Sequence, residues 1–437
     1  MAREMKHSGI EWIGEIPKEW KTQKFKTITK SMKSGGTPTS SNAAFYNEDG
    51  TPWVAIGDMC HCGEIFETQK HLTEEGLKDK SLEIYPCGTL LYSIYASVGK
   101  VSVLKIPAAI NQAILALSLN EKAINVYGKY LLVSMEDYVF SLANGNTQFN
   151  LNAGIVANLI IPLPPLSEQQ KIANYLDKVC GEVDEMIALQ EQMIEELKAY
   201  KQSVITEAVT KGLNPNVPMK DSGNLWIGTI PMHWNIGRIG DIGDYKKGPF
   251  GSAITLDMFI PKGKNTIKVY EQQNAIKKDW KLGYYYISEE YFINKLQSFE
   301  VLPNDLIVSC AGTIGEVYQL PVDIERGIIN QALMRMRISD SINLSYFLYI
   351  FDLILKGEAD RSSNGTAIKN IPPFSIFKKI LIPLPPISEQ QSIASYLDTK
   401  CAEIDALIAI KQAKIDELKD YKKSVIYEYV TGKKEVE

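Results

Sequence analysis

Residues able to carry out catalysis are present in this sequence, but their spacing does not complete a catalytic motif. An amino-methyltransferase would need an Asn-Pro-Pro-aromatic string, and Asn370-Ile371-Pro372-Pro373-Phe374 carries an additional isoleucine. Gly99-Lys100 lacks the earlier glycine and the following hydroxyl residue of a phosphate-binding loop. Pro321-Val322-Asp323-Ile324-Glu325 lacks the final lysine of a nuclease motif. Dispersed carboxylates could still form an active site, so these gaps favour binding over catalysis without excluding an enzyme.

Cysteine and histidine offer one candidate metal cluster, Cys60-His61-Cys62 with His71 nearby. A structural zinc site needs four ligands, usually supplied as two pairs, and the sequence has no second pair at a suitable spacing. The four histidines predict no catalytic triad. Six scattered cysteines are too few for a disulfide framework in a chain of 437 residues. We therefore expect neither a metal site nor a disulfide scaffold.

The elements that must position any binding residues occur twice. The string Pro-Leu-Pro-Pro-Leu-Ser-Glu-Gln-Gln begins at Pro162 and returns at Pro383 with isoleucine for the second leucine, an offset of 221 residues (383 − 162 = 221). A leader with paired tryptophans, residues 6–20, returns as residues 220–234. Each half therefore consists of a leader, a variable region, a prolyl turn and a long apolar-striped segment. A repeated order of this kind predicts two related domains.

The segments after the prolyl turns predict two long helices. Proline cannot continue an upstream helix, and Ser167 is a good N-cap with Gln170 three residues later. Apolar sites then alternate in steps of four and three, which averages about 3.5 residues and is typical of a coiled-coil seam. The first seam runs through positions 172, 176, 179, 183, 186, 190, 193, 197, 200 and 204, and the second lies 221 positions later. The apolar residues expected to carry the contact are Ile172, Leu176, Val183, Leu197, Ile393, Leu397, Ile404 and Leu418.

Neither helix can bury its stripe alone, so we expect the two helices to form an antiparallel intramolecular coiled coil. Roughly 38 residues of helix would extend ~57 Å at ~1.5 Å per residue, which suits a rigid spacer. In the alternative, each stripe packs only on its own preceding domain. Gln190 and Lys411 occupy equivalent polar seam sites, where we expect them to fix the register. The repeated leader tryptophans are expected to pack against the base of the helix pair: Trp12, Trp20, Trp226 and Trp234.

The region between leader and prolyl turn predicts a small, curved, mostly antiparallel β domain. Its short β-rich runs are broken by Gly, Pro and Asn, and a helix is expected over residues 127–142. The second variable region keeps this skeleton but little of the sequence. The predicted fold class is α+β, with two β-rich domains joined by two long helices in a pseudo-twofold repeat. The expected segments are 1–165 and 213–386 for the domains with their leaders, and 166–212 and 387–437 for the helices.

The composition is that of an ordinary soluble protein, with 45% apolar and 23% charged residues. The sequence has no 18-residue apolar run, and its start lacks the apolar core of a signal peptide, so we expect a cytoplasmic protein without a membrane segment. The net charge of −5 by itself argues against nucleic-acid binding. However, residues 168–207 contain nine acidic residues against four lysines, which accounts for that whole charge. The remainder is close to neutral, so local basic surfaces stay possible.

The repeated motifs resemble those of Type I restriction-modification DNA specificity subunits over essentially the whole chain. The likeness rests on the two Ile-Pro-Leu-Pro-Pro-Leu/Ile-Ser-Glu-Gln-Gln starts, the Tyr-Lys-Gln/Lys-Ser-Val-Ile helix ends and the Trp-Ile-Gly-x-Ile-Pro leaders. The Ser-Gly-Gly-Thr-Pro and Gly-Pro-Phe-Gly-Ser openings and the two Ile-Asn-Gln-Ala segments complete it. Each motif alone is weak evidence, whereas all of them, doubled and in this order, are specific.

The resemblance implies a non-catalytic subunit with two target recognition domains, each of which reads one half of a bipartite, asymmetric site on double-stranded DNA. It implies that the helix pair fixes the unread spacer and docks two methyltransferase (modification) subunits, which restriction subunits then join. No cofactor is expected on this chain, and S-adenosylmethionine is expected on the partner methyltransferase. Two other classes stay open: an autonomous methyltransferase or nuclease with an unusual site, and a coiled-coil scaffold whose β domains bind protein.

Candidate DNA-binding residues lie mainly in the loops of both domains. Lysines can meet phosphates, which position a protein on DNA, whereas short amides and hydroxyls can read base edges. Asn111-Gln112 and Asn330-Gln331 are alike in both copies, so we favour the interpretation that they hold a turn shared by the fold. The candidate set is Lys33, Gly35, Thr37, Tyr92, Tyr95, Lys100, Asn144, Asn146, Thr147, Gln148, Lys246, Lys247, Ser252, Ser309, Thr313, Asn364 and Thr366.

Overall fold

The computed structural model describes residues 3–59, 63–95, 97–143, 151–311, 313–361 and 374–436. Its contacts divide the chain into two compact units. Unit 1 contains Met1–Met193 and Ile410–Glu437, and unit 2 contains Ile194–Ala409. Each unit therefore takes one part of each long helix, and the helices do not form a unit of their own.

Unit 1 carries the first β-rich domain. Its strands in the described residues are β1 (Met5–His7), β2 (Glu15–Pro17), β3 (Lys21–Lys24), β4 (Thr29–Ser34), β5 (Tyr46–Val54), β6 (Gly63–Ile65), β7 (Lys70–Leu72), β8 (Leu90–Ser93), β9 (Val101–Leu104), β10 (Ala109–Ile110), β11 (Ile114–Leu119) and β12 (Ile160–Leu163). Its helices are α1 (Glu74–Asp79), α2 (Asn125–Ser134), α3 (Glu136–Ala143), α4 (Ala153–Asn158) and the start of α5 (Leu166–Lys211). The sheets have the orders β4-β11-β8-β9-β6, β10-β5-β7, β1-β2 and β12-β3. The pairs are antiparallel except β10–β5 and β6–β9.

Unit 2 repeats this plan. Its strands in the described residues are β13 (Met219–Asp221), β14 (Thr229–Pro231), β15 (Asn235–Arg238), β16 (Gly243–Lys247), β17 (Thr266–Tyr270), β18 (Tyr286–Ser288), β19 (Glu300–Val301), β20 (Leu306–Ser309), β21 (Val317–Gln319), β22 (Gly327–Ile329), β23 (Leu333–Ile338) and β24 (Leu381–Leu384). Its helices are α6 (Gln272–Lys277), α7 (Glu289–Tyr291), α8 (Leu344–Arg361), α9 (Phe374–Phe377) and the start of α10 (Ile387–Val430). The order β16-β23-β20-β21 matches β4-β11-β8-β9, and the parallel pair β17–β22 matches β5–β10. The predicted α+β fold with an internal repeat is confirmed.

A tryptophan of each leader anchors its domain to the first turn of the following long helix. The indole Nε1 of Trp20 donates to Glu168 Oε2 at 2.8 Å, and that of Trp234 donates to Glu389 Oε2 at 3.0 Å. Both tryptophans are fully buried. Because a buried N–H needs a partner, the glutamate of each prolyl motif is fixed by packing as well as by helix formation. The prediction that these two tryptophans pack at the base of the helices is confirmed.

Both long helices begin at the predicted segment boundaries, Leu166 and Ile387, but Leu166 is two residues before the start that an N-cap at Ser167 predicts. Leu166 opens α5, and the amides of Glu168 and Gln169 both donate to Pro165 O at 2.9 Å. Ser167 therefore lies inside the first turn and is not the N-cap. The Gln169 side chain is buried, donates to Pro164 O at 3.0 Å and accepts from Ile124 N at 2.9 Å. The repeated glutamine is thus a structural tie between the helix start and its domain.

Within each unit the two long helices run antiparallel and are joined by equivalent ion pairs. In unit 1, Lys422 Nζ lies 2.6 Å from Asp184 Oδ1. In unit 2, Lys201 Nζ lies 2.7 Å from Asp405 Oδ2. Each lysine and each aspartate in one pair stands 221 positions from its counterpart in the other. The predicted antiparallel pairing is confirmed, and it coexists with packing of each helix start on its own domain.

The buried stripe differs from the predicted coiled-coil seam. The buried and half-buried positions run 172, 176, 180, 183, 187, 190, 194, 197, 201 and 205, and their counterparts 221 later run 393, 397, 401, 404, 408, 411, 415, 418, 422 and 426. The mean step is close to the 3.6 residues of a straight helix rather than 3.5, because the stripe takes an additional four-residue step near each end. The apolar contact residues predicted above are all buried or half-buried. The seam sites Met186, Tyr200, Leu407 and Tyr421 are instead exposed by about half.

Two negative findings hold within the described residues. None of the helices there combines the length and the apolar character needed to span a lipid bilayer. No three side chains of His, Cys, Asp or Glu in those ranges are grouped as metal ligands would be. Cys60, His61 and Cys62 lie outside the described residues.

Candidate nucleic-acid interface

The glycine-rich segment after β4 rests directly on the backbone of unit 1. Gly36 N donates to Ile110 O at 3.0 Å, and Gly35 N donates to Ile114 O at 3.3 Å. A Cβ atom on Gly35 would lie 1.8 Å from Ile110 O, so only glycine fits this approach. The loop that follows, with Thr37, is therefore held at a fixed distance from the turn between β10 and β11.

A similar close approach occurs after β16 in unit 2, one residue further along the turn. Gly248 N donates to Leu333 O at 2.9 Å, and a Cβ on Gly248 would lie 1.8 Å from Asn330 O. The loop that follows carries Phe250 and Ser252. In both units a glycine packs directly against a backbone carbonyl of the neighbouring turn, and we call Gly35 and Gly248 the seated glycines. The two loops that follow them therefore share one backbone frame, although their side chains differ.

Replacing Gly248 by alanine is expected to destabilise unit 2 by about 3 kcal/mol, at the upper end of the cost of overpacking, because backbone atoms must move to admit the methyl group. Gly251 is the matched control, since a Cβ there meets no atom within 4 Å. Urea denaturation of both variants measures the difference. Equal stability of G248A and G251A would contradict the proposed contact.

The shared Asn-Gln turn faces these loops. In unit 1, Asn111 Oδ1 accepts from Ala113 N at 3.0 Å, and in unit 2, Asn330 Oδ1 accepts from Ala332 N at 3.0 Å. Both asparagines therefore close the turn with their own side chains, which confirms the structural interpretation for them. The adjacent Gln112 and Gln331 are exposed.

A third loop in each unit completes the cluster. Ile94 N donates to Ala113 O at 2.8 Å, and Cys310 N donates to Ala332 O at 2.8 Å, so the segments after β8 and β20 lie beside the Asn-Gln turns. Burial raises the pKa of the Cys310 thiol to about 12. At neutral pH this sulfur is a thiol rather than a thiolate, so it is not an activated nucleophile.

Two predicted DNA contacts are wrong, because their side chains are fully buried. Tyr92 and Ser309 have no exposed surface. Burial raises the pKa of Tyr92 above its usual value. Ser309 Oγ accepts from Glu316 N at 3.0 Å and closes the loop after β20. Gly35 has no side chain that could contact DNA. Its role is to let the backbone pack closely against Ile110 O, which positions the loop that follows.

The other predicted residues have different surroundings. Lys33 Nζ lies 2.6 Å from Glu83 Oε1, Lys100 Nζ lies 3.5 Å from Met59 O, and Lys246 Nζ lies 4.8 Å from the centre of the Phe299 ring. The residues whose side chains are exposed beside the loops are Tyr95, Lys247, Ser252 and Thr313. Their contact with DNA stays a prediction. The remaining candidates lie outside the described residues: Asn144, Asn146, Thr147, Gln148, Asn364 and Thr366.

Each unit thus presents three loops on one shared backbone frame, and this arrangement suits recognition of an extended polar ligand. The family model of the Type I restriction modification DNA specificity domain matches residues 17–199 and 231–420, one copy in each half. The chain belongs to this family.

Individual members of the specificity family are similar to the chain to different extents. The Type I restriction enzyme MjaIX specificity subunit of Methanocaldococcus jannaschii is 29% identical over 53% of this chain and 53% of the relative, so that match spans about half of the relative's length. The putative type I restriction enzyme MjaX specificity subunit of the same organism is 26% identical over 96% of this chain and 95% of the relative. A solved chain from work on complex assembly and conformational transition of the type I R-M system has a TM-score of 0.67, with 95% of this chain and 99% of that chain covered at 18% identity. This last likeness concerns the fold.

One exposed loop residue of this specificity-family protein, Phe250, is not among the DNA contacts predicted from the sequence. Its side chain is 89% exposed. The available signal was its position between Gly248-Pro249 and Gly251, where neighbours without bulky side chains leave a ring uncovered.

Proposed function

We propose that this chain is the non-catalytic DNA sequence-recognition subunit of a Type I restriction-modification complex, and that each β-rich domain reads one half of a bipartite, asymmetric site. The observation that carries the proposal is the pairing of a constant frame with variable loops. The strand order, the seated glycine and the Asn-Gln turn are the same in both units. Side chains of the loops on that frame differ, with Thr37 in unit 1 at the place of Phe250 in unit 2, as two readers of different bases require.

The helix pair is proposed to fix the number of unread base pairs between the half-sites and to dock two methyltransferase subunits. Two readers on one connector can enter the same face of a duplex only if their half-sites are separated by about one helical turn or a multiple of it. S-adenosylmethionine is proposed to bind to the methyltransferase subunits, and restriction subunits to join through the resulting complex.

Exposed apolar side chains support this docking role. In unit 1, Met186 and Tyr421 are each exposed by about half, and each precedes a position of the buried stripe by one residue. They lie at the same level of the helix pair, since the Asp184–Lys422 ion pair lies within one turn of both. In unit 2, Tyr200 and Leu407 form the equivalent pair beside Lys201–Asp405. Exposed apolar side chains next to a polar rim are typical of protein interfaces.

The test is selection from a random duplex library by the chain together with its methyltransferase subunits, followed by mapping of the methylated bases. We expect enrichment of one split motif, with methylation inside both halves. The affinity of the complex for DNA should fall as the salt concentration rises, because phosphate contacts release counterions. Methyl transfer from S-adenosylmethionine by the chain alone would favour an autonomous enzyme. Absence of any enriched sequence in the complete complex would favour a protein-binding scaffold.

A further inference from the structure

Two pairs of side chains occupy equivalent places on the shared frame but have different chemistry. Thr37 and Phe250 each stand two residues after the seated glycine of their unit, Gly35 and Gly248. Gln112 and Gln331 each follow the asparagine that closes the turn. The Gln112 side chain contacts Thr37, and the backbone of Gln331 lies against Gly248, two residues before Phe250. The structural residues of this frame are the same in both units, whereas position 37 or 250 changes from a hydroxyl to an aromatic ring.

In unit 1 the hydroxyl determines what the neighbouring amide can offer. Thr37 Oγ1 donates a hydrogen bond to Gln112 Oε1. This contact occupies an acceptor of the amide and turns its NH2 group away from Thr37. Because the Gln112 side chain is exposed, it presents donors to a ligand.

In unit 2 the side-chain amide of Gln331 can both donate and accept hydrogen bonds. Phe250 has no hydroxyl and is 89% exposed. Within the described residues, the exposed Gln331 side chain has no hydrogen-bond partner in the protein. Gln331 lies on the wall of an open cavity of about 520 Å³ that Gly251, Glu271 and Tyr285 also line. There is therefore space in front of this amide for a ligand group that both donates and accepts.

We propose that Thr37–Gln112 and Phe250–Gln331 are base-reading pairs, an inference that rests on the proposed DNA-recognition function. Guanine offers two acceptors in the major groove, N7 and O6, and matches the donors of Gln112. Adenine offers an acceptor at N7 and a donor at N6, and matches the free amide of Gln331. The exposed Phe250 ring packs on the thymine methyl group of the same A·T pair or its neighbour. Unit 1 thus reads guanine, and unit 2 reads adenine, at equivalent places.

A purely structural role does not explain these pairs. The asparagines already close both turns with their own side chains. A structural contact between the loop and the turn would be kept in both units, yet unit 2 replaces its hydroxyl with a ring that is almost fully exposed. A difference at equivalent exposed positions is what two unlike readers need.

The inference is tested by library selection and methylation mapping with the complete complex of chain and methyltransferase subunits. Gln112→Ala and Gln331→Ala should each reduce discrimination at one base pair of one half-site by roughly 5- to 150-fold, the value of one bidentate contact. Phe250→Thr should shift the affected pair of the second half-site from adenine towards guanine. Thr37→Val should shift that of the first half-site from guanine towards adenine. Thermal unfolding of each variant reports whether the unit still folds.

Lys247→Ala is the control, because an exposed lysine beside the same loop should contribute through phosphate alone. It should weaken binding to all sequences about equally. The slope of log affinity against log salt concentration should become shallower by roughly one. Unchanged base preferences in folded Gln and loop variants, or changes in both half-sites at once, would overturn the inference while leaving sequence-specific binding by the native complex intact. A native complex that enriches no sequence would instead overturn the proposed function itself.

Discussion

Exchange of residues 25–159 for the equivalent domain of another specificity-family protein is expected to replace one half of the recognised DNA sequence and to leave the other half unchanged. Phe25 N donates to Leu159 O at 2.8 Å, so the two exchange points are adjacent in space. The β3–β12 ladder stays on the side of the long helix and is not cut. All three loops of the first candidate interface lie within the exchanged segment, whereas the helix pair is retained.

The expected effect is large, because specific sites are bound at least 10³-fold more tightly than non-specific DNA. Methylation mapping should show the original motif lost and a hybrid motif gained, with the spacer length kept. The matched exchange takes residues 239–380, whose ends are joined by the Ile239 N to Ile380 O hydrogen bond of 2.9 Å. It should change only the opposite half-site. If either exchange alters both half-sites, the two units do not read DNA independently.

The fold was largely predictable because the repeated residues are those that build it. Trp20, Glu168 and Gln169 recur at equivalent places and make the contacts that join each domain to its helix. The predicted seam failed in detail because a pattern of alternating four and three steps fits several neighbouring rows of one helix. The row that is buried in the structure passes through Cys180 and Cys401 and follows the period of a straight helix.

The candidate interface was harder to predict because burial inside a sheet does not show in the residue type. Tyr92 is an aromatic residue close to a loop, as a reader would be, but it lies on β8 in the middle of a five-stranded sheet. That strand is covered on both faces: Leu90 and Tyr92 face the core formed with Tyr127, and Leu91 faces a second core with Val54. Only the strand order reveals this. For Gln112 the sequence favoured a structural role because it repeats beside Asn111, and the proposed base-reading role rests on its exposure and its bond to Thr37, which the sequence does not show.

Introduction of charge into the exposed apolar pair of unit 1 is expected to remove one of the two methyltransferase subunits that we propose to bind this chain. Met186→Glu with Tyr421→Glu would place two carboxylates where the proposed interface buries apolar surface. A central apolar anchor typically contributes about 2 kcal/mol or more, so each change should weaken binding of that subunit by roughly 30-fold. Native mass spectrometry should then show a complex with one methyltransferase subunit in place of two, and methylation of DNA should fall accordingly.

The repeat supplies both a replicate and a control for this experiment. Tyr200→Glu with Leu407→Glu in unit 2 should remove one subunit in the same way, and all four substitutions together should leave the chain without methyltransferase. Ala188→Glu with Ala409→Glu adds the same charge to exposed helix positions about 200° around the helix from Met186 and Leu407, and should keep both subunits bound. Since the substituted residues are exposed, unfolding should remain close to that of the native chain. If the fourfold variant still binds two subunits, the partners dock on another surface. The exposure of Met186, Tyr200, Leu407 and Tyr421 would then need a different explanation.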